Sequence, residues 1–345
     1  MPQFSSASPA ARIGALKGDI LKHAVPVEVL GLCGQQRPIP KNSGMTIKHR
    51  RYLPYGAAAT NFNTANRPAA TASAHILTEG VTPTADTLVP QDITVTLKQY
   101  GCLYQLTDVV ADTYEDDVPA EMKKQVGERT GLVREMIRYG VLKACTNVFY
   151  AGGVSTRATV ASKITLTLLR KISRNLQANH AKRITGVLDA SPKIATRPVE
   201  AAYVVFVHTD AEADIRDLPG FKHITEYGSR TPISPHELGS CENFRFVTSP
   251  ELAPYVGAGA DIGATGLSGT TKVDVYPFIM VGEDAYGQVA LRGVDALDPT
   301  YIPTGQKDKS DPLGQRGYVG AKFYMECTML NEGWMAVAEA GVTAL

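Results

Sequence analysis

The hydrophobic positions of this chain change period several times, and each change marks an element. From Asp116 to Gly153 the apolar residues Met122, Val126, Val133, Ile137, Val141, Ala144 and Val148 recur at spacings of three, four and seven. That spacing predicts one long helix with a single buried stripe. Asp116, Asp117 and Glu121 crowd its amino end, where the helix dipole favours negative charge, and Pro119 is tolerated in the first turn. Ala151-Gly152-Gly153 stops it. Some thirty residues at about 1.5 Å each make a rod of roughly 45 Å. Its interior glycines Gly127, Gly131 and Gly140 each cost about 1 kcal/mol relative to alanine, which predicts a bend or a close backbone neighbour.

Ahead of this helix the pattern is that of strands. The run MTIKHRRYL from Met45 is extended in character, and DITVTLK from Asp92 alternates Ile93, Val95 and Leu97 with polar residues. The two pair as an antiparallel ribbon. After Lys98 the apolar parity switches to Tyr100, Cys102, Tyr104 and Leu106, which predicts a bulge or kink beside Gly101. Residues 56–90, between the strands, are rich in Ala, Thr, Asn and Pro, with Phe62, Ile76, Leu77, Val81, Leu88 and Val89 as the larger apolar side chains. A connection so much longer than the usual loop of about 4 to 6 residues is functional or disordered. A two-stranded ribbon with so few apolar residues has no core of its own and becomes ordered by lying on another surface.

Residues 1–43 begin polar, continue through a short amphipathic pattern (Ile13, Leu16, Ile20, Leu21) into VPVEVLGL, and then meet QQRPIPKNSG, which breaks structure. They form an arm. Beyond the long helix, Leu168, Leu169, Ile172 and Leu176 mark a second helix over 167–179, RITGVLDASPKIATRPVE carries turn chemistry, and AAYVVFVH is a fully buried strand. A short helix over 210–218 and the runs NFRFVTS, VDVYPFIMV and YGQVALR complete one α+β module over 201 to about 300. Val319 to Met329 then alternate, and Asn331-Glu332-Gly333 turns into WMAVAE, a hairpin placed to cover the long helix.

Composition narrows the classes. The 345 residues, 44% hydrophobic, suffice for a sizeable core in two or three modules. With 35 Lys and Arg against 34 Asp and Glu, no strongly basic face for wrapping nucleic acid is implied. The five cysteines, Cys33, Cys102, Cys145, Cys241 and Cys327, are far apart and lack a Cys-x-x-Cys pair, so they predict buried reduced thiols rather than a disulfide frame or zinc site. No apolar run reaches the roughly 18 residues of a membrane span, and MPQFSSASPAAR lacks a signal-peptide core, so neither membrane insertion nor export by that route is expected.

Catalytic spacings are missing. There is no Gly-x-x-x-x-Gly-Lys-Ser/Thr loop, His-Glu-x-x-His helix or Gly-x-Ser-x-Gly elbow, so no catalytic residue, cofactor or metal is assigned. The glycines of VGAGADIGATGLSGT, Gly257, Gly259 and Gly263, are one residue too widely spaced for a dinucleotide fingerprint and predict a mobile loop. His208 ends a strand, with Thr209 or Asp210 as the cap of the next helix. The cluster Lys48, His49, Arg50, Arg51 lies on a strand, which divides its charges between two faces and suits a subunit contact or solvated edge better than a nucleic-acid patch.

An arm, a long two-stranded extension, a long helix, an α+β module and closing strands together resemble the Hong Kong 97-like fold of tailed-bacteriophage major capsid proteins. Several stretches are similar to the group typified by phage N4: LTEGVTP, LKQYG, PISPHELGSCENFRFVTSPE, VYPFIMVGEDAYGQVALRG and DPLGQRGYVGAKFYMECTMLNEGWM. The likeness spans nearly the whole chain and lies in the series. It implies an α+β fold with an N-terminal arm (1–43), an E-loop (44–107), a P domain (108–200) with a spine helix over 117–150, an axial A domain (201–300) and C-terminal P-domain strands (301–345). It also implies a non-enzymatic subunit of hexamers and pentamers in an icosahedral virion capsid, assembled in the bacterial host cytoplasm around packaged double-stranded DNA that is held without sequence-specific binding. Scaffolding, portal and decoration proteins are the implied partners. Some relatives crosslink through an E-loop lysine; here residues 56–90 contain none, and no self-catalysed crosslinking is expected. Arg50, Arg51, Glu79 and Lys98 are the candidate contacts between subunits. The alternatives are an encapsulin-like compartment shell and, in another class, a cytosolic nucleotide-binding enzyme using the Gly257 to Gly263 loop.

Overall fold

The computed structural model describes residues 27–40, 42–52, 72–83, 85, 87–114, 117–188, 196–228, 231–263, 266–291, 298–307, 309 and 311–345. In chain order the strands are β1 (Gln35–Ile39), β2 (Thr46–Tyr52), β3 (Pro90–Thr96), β4 (Lys98–Thr107), β5 (Val148–Tyr150), β6 (Ile184–Leu188), β7 (Thr196–Val207), β8 (Lys222–His223), β9 (Glu237–Cys241), β10 (Phe244–Thr248), β11 (Tyr276–Val281), β12 (Tyr286–Leu291), β13 (Asp298–Ile302), β14 (Arg316–Met329) and β15 (Met335–Ala340). The helices are α1 (Asp108–Thr113), α2 (Val118–Leu142), α3 (Leu166–Ala178) and α4 (Glu212–Arg216). The chain divides into two compact units. One contains 98–134 and the described part of 295–324, and the other contains 27–97, 135–294 and 325–345, among their described residues.

The larger unit is built on an eight-stranded sheet ordered β5-β15-β11-β7-β10-β9-β8, with β6 also paired to β7. Its central strands are near-continuous apolar runs because both faces are covered. On one face Tyr203, Val205, Phe246 and Phe278 pack with Leu168, Leu169, Ile172 and Leu176 of α3. On the other, Val204, Phe206, Ile279 and Val337 pack with Val29, Leu30, Tyr139 and Leu142. The cap of α3 is Thr165, whose hydroxyl accepts from the amide of Leu168 at 3.4 Å. A second, smaller sheet region in the same unit sets β1 parallel to β12, and β12 antiparallel to Met325–Met329 of β14.

In the smaller unit the first part of β14 pairs with β13 on one edge and with β4 on the other. Val126, Val319 and Ala321 form its buried centre, with Cys102, Tyr104 and Met122 against them, and Tyr100 stacks on Phe323 at 5.7 Å. A Cβ at Gly101 would come within 3.2 Å of the Ala321 carbonyl oxygen, which explains a glycine in this strand.

Several expectations are corrected. The long helix ends at Leu142, not near residue 150, because Val148-Phe149-Tyr150 has strand chemistry and pairs in parallel with β15 as β5. Among the described residues a Cβ at Gly127 or Gly140 would meet nothing within 4 Å, so neither marks a close backbone neighbour there. The most buried face of the helix includes Thr130, Glu135, Arg138 and Tyr139, while Val133, Ile137 and Val141 are only half-buried. Glu135 explains this: its carboxylate accepts from the amides of Val29 and Leu30 at 2.9 Å, and Arg138 donates to Glu135 and Glu28 at 3.3 Å and to Gln288 at 3.0 Å. Burial raises the Glu135 pKa against those donors.

That network draws in residues assigned to the arm. Val29 and Leu30 are core, and QQRPI is strand β1 rather than a break. Gly34, with φ of 95°, lies so near Tyr286 that a Cβ would be 2.5 Å from its ring, while the Tyr286 hydroxyl donates to the Leu30 carbonyl at 2.6 Å. The amphipathic pattern at Ile13 to Leu21 lies outside the described residues. The strand break that flips apolar parity is at Leu97, ahead of Gly101. Part of the supposed turn segment after α3 is the antiparallel pair β6 and β7.

The pairing of the closing strands differs from the expected hairpin. YGQVALR pairs with β1 and β14, and WMAVAE joins the eight-stranded sheet beside β11 instead of returning along β14 as a hairpin. The change of sheet is fixed at the turn, where the amides of Leu330 and Asn331 both donate to the Ala285 carbonyl. His208 is itself the cap of its helix, its ring Nδ1 accepting from the Asp210 amide at 3.1 Å. The described cysteines form no disulfide, and burial pushes the Cys33 and Cys327 thiols up to about 12.

Candidate assembly interface

The ribbon follows from its alternation. β2 and β3 pair antiparallel with Ile47 opposite Val95, His49 opposite Ile93, Arg50 opposite Asp92 and Arg51 opposite Gln91. One face carries Lys48, Arg50, Tyr52, Asp92 and Thr94, all exposed. Arg50 grips Asp92 with two charge-assisted hydrogen bonds of 2.7 and 2.8 Å, and this partner holds the Asp92 carboxyl below its ordinary pKa. The opposite face is covered: Gln91 and Val95 are buried, and Ile47, His49, Arg51 and Ile93 are half-buried.

Part of that cover belongs to the same chain. Arg51 donates to the Gln91 side chain at 2.9 Å and to the Leu330 carbonyl at 3.4 Å, and burial lowers its pKa. Burial first, then the charge of Arg37 on β1, lowers the pKa of His49. The ribbon base therefore rests on its own subunit, against the expectation that the whole extension lacks a surface of its own.

The tip differs. Ile76, Leu77, Val81 and Leu88 are 75%, 72%, 63% and 78% exposed. Glu79 is exposed beside them, ahead of Gly80, whose φ of 76° makes the sharp turn in LTEGVTP. Phe62 lies outside the described residues. Lys98 is exposed at the start of β4.

Of the four candidate contact residues, Arg50 and Arg51 occupy opposite faces of one strand, and Arg51 is committed to its own subunit. Sequence reasoning misses Asp92 as the partner of Arg50, although opposite charges directly across an antiparallel pair are a readable signal once the register is set. The aliphatic tip is recognisable in the sequence as apolar but not as a display; only exposure distinguishes the two.

The glycine loop is not a phosphate cradle. The Gly257 amide donates to the Asp274 carboxylate at 2.6 Å, and the amides of Gly259, Ala260 and Ile262 donate to the carbonyls of Val273, Val160 and Thr271. Donors that a phosphate would need are used within the chain, which also pins a loop expected to be mobile. Among the described residues no helix is long and apolar enough to cross a membrane.

Comparison with solved structures decides the fold. The capsid of Ralstonia phage GP4 superposes over 100% of this chain and 99% of its own, with a TM-score of 0.65 at 10% identity. The fold is that of a phage capsid subunit. A second capsid structure, from cyanophage Pam1, covers 100% of both chains with a TM-score of 0.60 at 15% identity. In sequence, the chain is 21% identical over 263 residues to a major capsid protein of Pseudomonas phage KPP21, covering 70% of this chain and 65% of that relative. No family model matches the chain.

Proposed function

We propose that the chain is the major capsid protein of a tailed bacteriophage, a structural subunit that assembles into hexamers and pentamers of an icosahedral head around packaged double-stranded DNA. The capsid fold and the relative in phage KPP21 support the class of function. The observation that carries assembly is the tip: four aliphatic side chains stand in water on a ribbon whose base is already anchored. Burying each is worth about 1.5–3 kcal/mol, and a second copy of the chain is the surface a closed shell supplies. The subunit acts without catalysis, in the virion capsid after synthesis in the host cytoplasm. Scaffolding, portal and decoration proteins serve assembly. Each subunit donates its tip and receives another, a heterologous contact that closes rings.

Electron microscopy of the purified full chain tests this directly. Closed shells or rings of five and six subunits are expected, and nucleic acid is their expected content in particles recovered from infected cells. Small discrete oligomers that bind NAD would overturn the reading, and protein cargo in place of DNA would replace the phage head with a compartment shell.

A further inference from the structure

Whole-chain neutrality conceals a segregation of charge. Residues 136–188 contain nine lysines and arginines and not one aspartate or glutamate, in a chain whose net charge is only +1. Four of these cations are matched by carboxylates from elsewhere: Arg138 by Glu135 and Glu28, Arg157 by Glu339, Lys163 by Asp214 and Arg170 by Glu242. Lys171 and Arg174 have no carboxylate partner among the described residues, and both are exposed. Two of the unmatched cations therefore share one surface.

That surface is the outer face of α3. The helix buries Leu168, Leu169, Ile172 and Leu176 and exposes Arg170, Lys171, Arg174, Gln177 and Ala178, positions three and four apart that form a single stripe. Exposed Lys182 and Arg183 continue it beyond the helix. Lys171, Arg174, Asn175, Ala178 and Phe149 border a recess of about 260 Å³, and the Lys171 ammonium lies 5.7 Å from the Phe149 ring centroid. The Asn175 side-chain carbonyl accepts from Asn147 and Asn179 at 3.0 and 3.3 Å, which leaves its amide group as a further donor at the same recess. Two cations and an amide donor around a recess lined by no carboxylate are the chemistry that positions a phosphate.

We infer that the exposed face of α3 is a phosphate-backbone contact for double-stranded DNA and lines the inside of the shell. This rests on the capsid reading but is tested apart from it. The contact is sequence-independent, because its donors are cations and an amide of the kind that bind phosphate oxygens. Arg170, held by Glu242, sets the edge of the contact, and the apolar underside of the helix keeps it rigid.

The test is anisotropy of a labelled mixed-sequence duplex with the freshly purified full chain, before assembly, across a salt series. Wild-type binding should weaken linearly in log–log form. Lys171→Gln with Arg174→Gln should flatten the slope by about 1.8, at about 0.9 for each phosphate that is no longer neutralised, while Lys171→Arg with Arg174→Lys should keep it. No wild-type binding at low salt, or a slope unchanged by the glutamine pair, overturns the inference even if the chain forms normal shells. Loss of shells with an unchanged DNA slope also overturns it and makes the face a subunit contact. So does capture of polyglutamate but not DNA by this face, which would identify an acidic protein as the partner.

Discussion

The eight-stranded sheet and the ribbon tip place the same kinds of side chain in opposite settings. Ile279 and Val281 are fully buried in the sheet, while Ile76 and Leu77, also aliphatic, are 75% and 72% exposed at the tip. In the sheet, both faces are covered by the chain itself and even its charges are internally matched, as with Glu237, whose carboxylate accepts from Arg245 and Tyr227 at 2.7 Å. At the tip nothing among the described residues completes the burial. Under the proposed function the contrast divides labour: folding free energy resides in the sheet, and the surface for association resides in the ribbon.

The strongest way to break that division is to open the sheet. Glu237→Ala strips Arg245, whose side chain is 4% exposed, of its carboxylate, and should lower subunit stability by about 3–5 kcal/mol. Urea unfolding followed by circular dichroism would measure it, and a loss below about 1 kcal/mol would show that water already serves this site. A gentler change in the same sheet, Ile279→Val, should cost about 0.5–1.5 kcal/mol by the same assay. At the other end of the scale, Gly127→Ala on α2 should stabilise the subunit by about 0.4–1 kcal/mol, since its Cβ enters open space and the unfolded chain loses freedom. Destabilisation there would reveal a neighbour pressing on the helix.

These regions are unequally legible in the sequence. AAYVVFVH and the α3 stripe are plain because continuous or periodic hydrophobicity has few alternative solutions. The ribbon pairing is legible for the same reason, from alternation on both strands. Helix α2 is misjudged where polar residues do the burying: Glu135 and Arg138 lie on its most covered face, and no hydrophobic pattern marks a carboxylate that caps the amides of Val29 and Leu30. That omission also makes residues 27–39, which supply Val29, Leu30, Cys33 and Ile39 to the core, look like an arm. The separation of β14 from β15 is hidden because a turn such as Asn331-Glu332-Gly333 suits a hairpin, whereas the Ala285 carbonyl that redirects it is distant in sequence. At the interface, Arg50 and Arg51 stand out by charge, but which of them is committed to its own subunit depends on the register and on Leu330. The α3 surface escapes a whole-chain charge count because the compensating acids lie elsewhere in the sequence.

The most direct test of the division between folding and association is the double substitution Leu77→Asp with Leu88→Asp, read by urea unfolding and electron microscopy on the same preparation. Both side chains are more than 70% exposed, so the unfolding free energy should stay within about 0.5 kcal/mol of wild type while closed shells disappear. Shells in wild-type yield, or a large loss of subunit stability, would contradict the account.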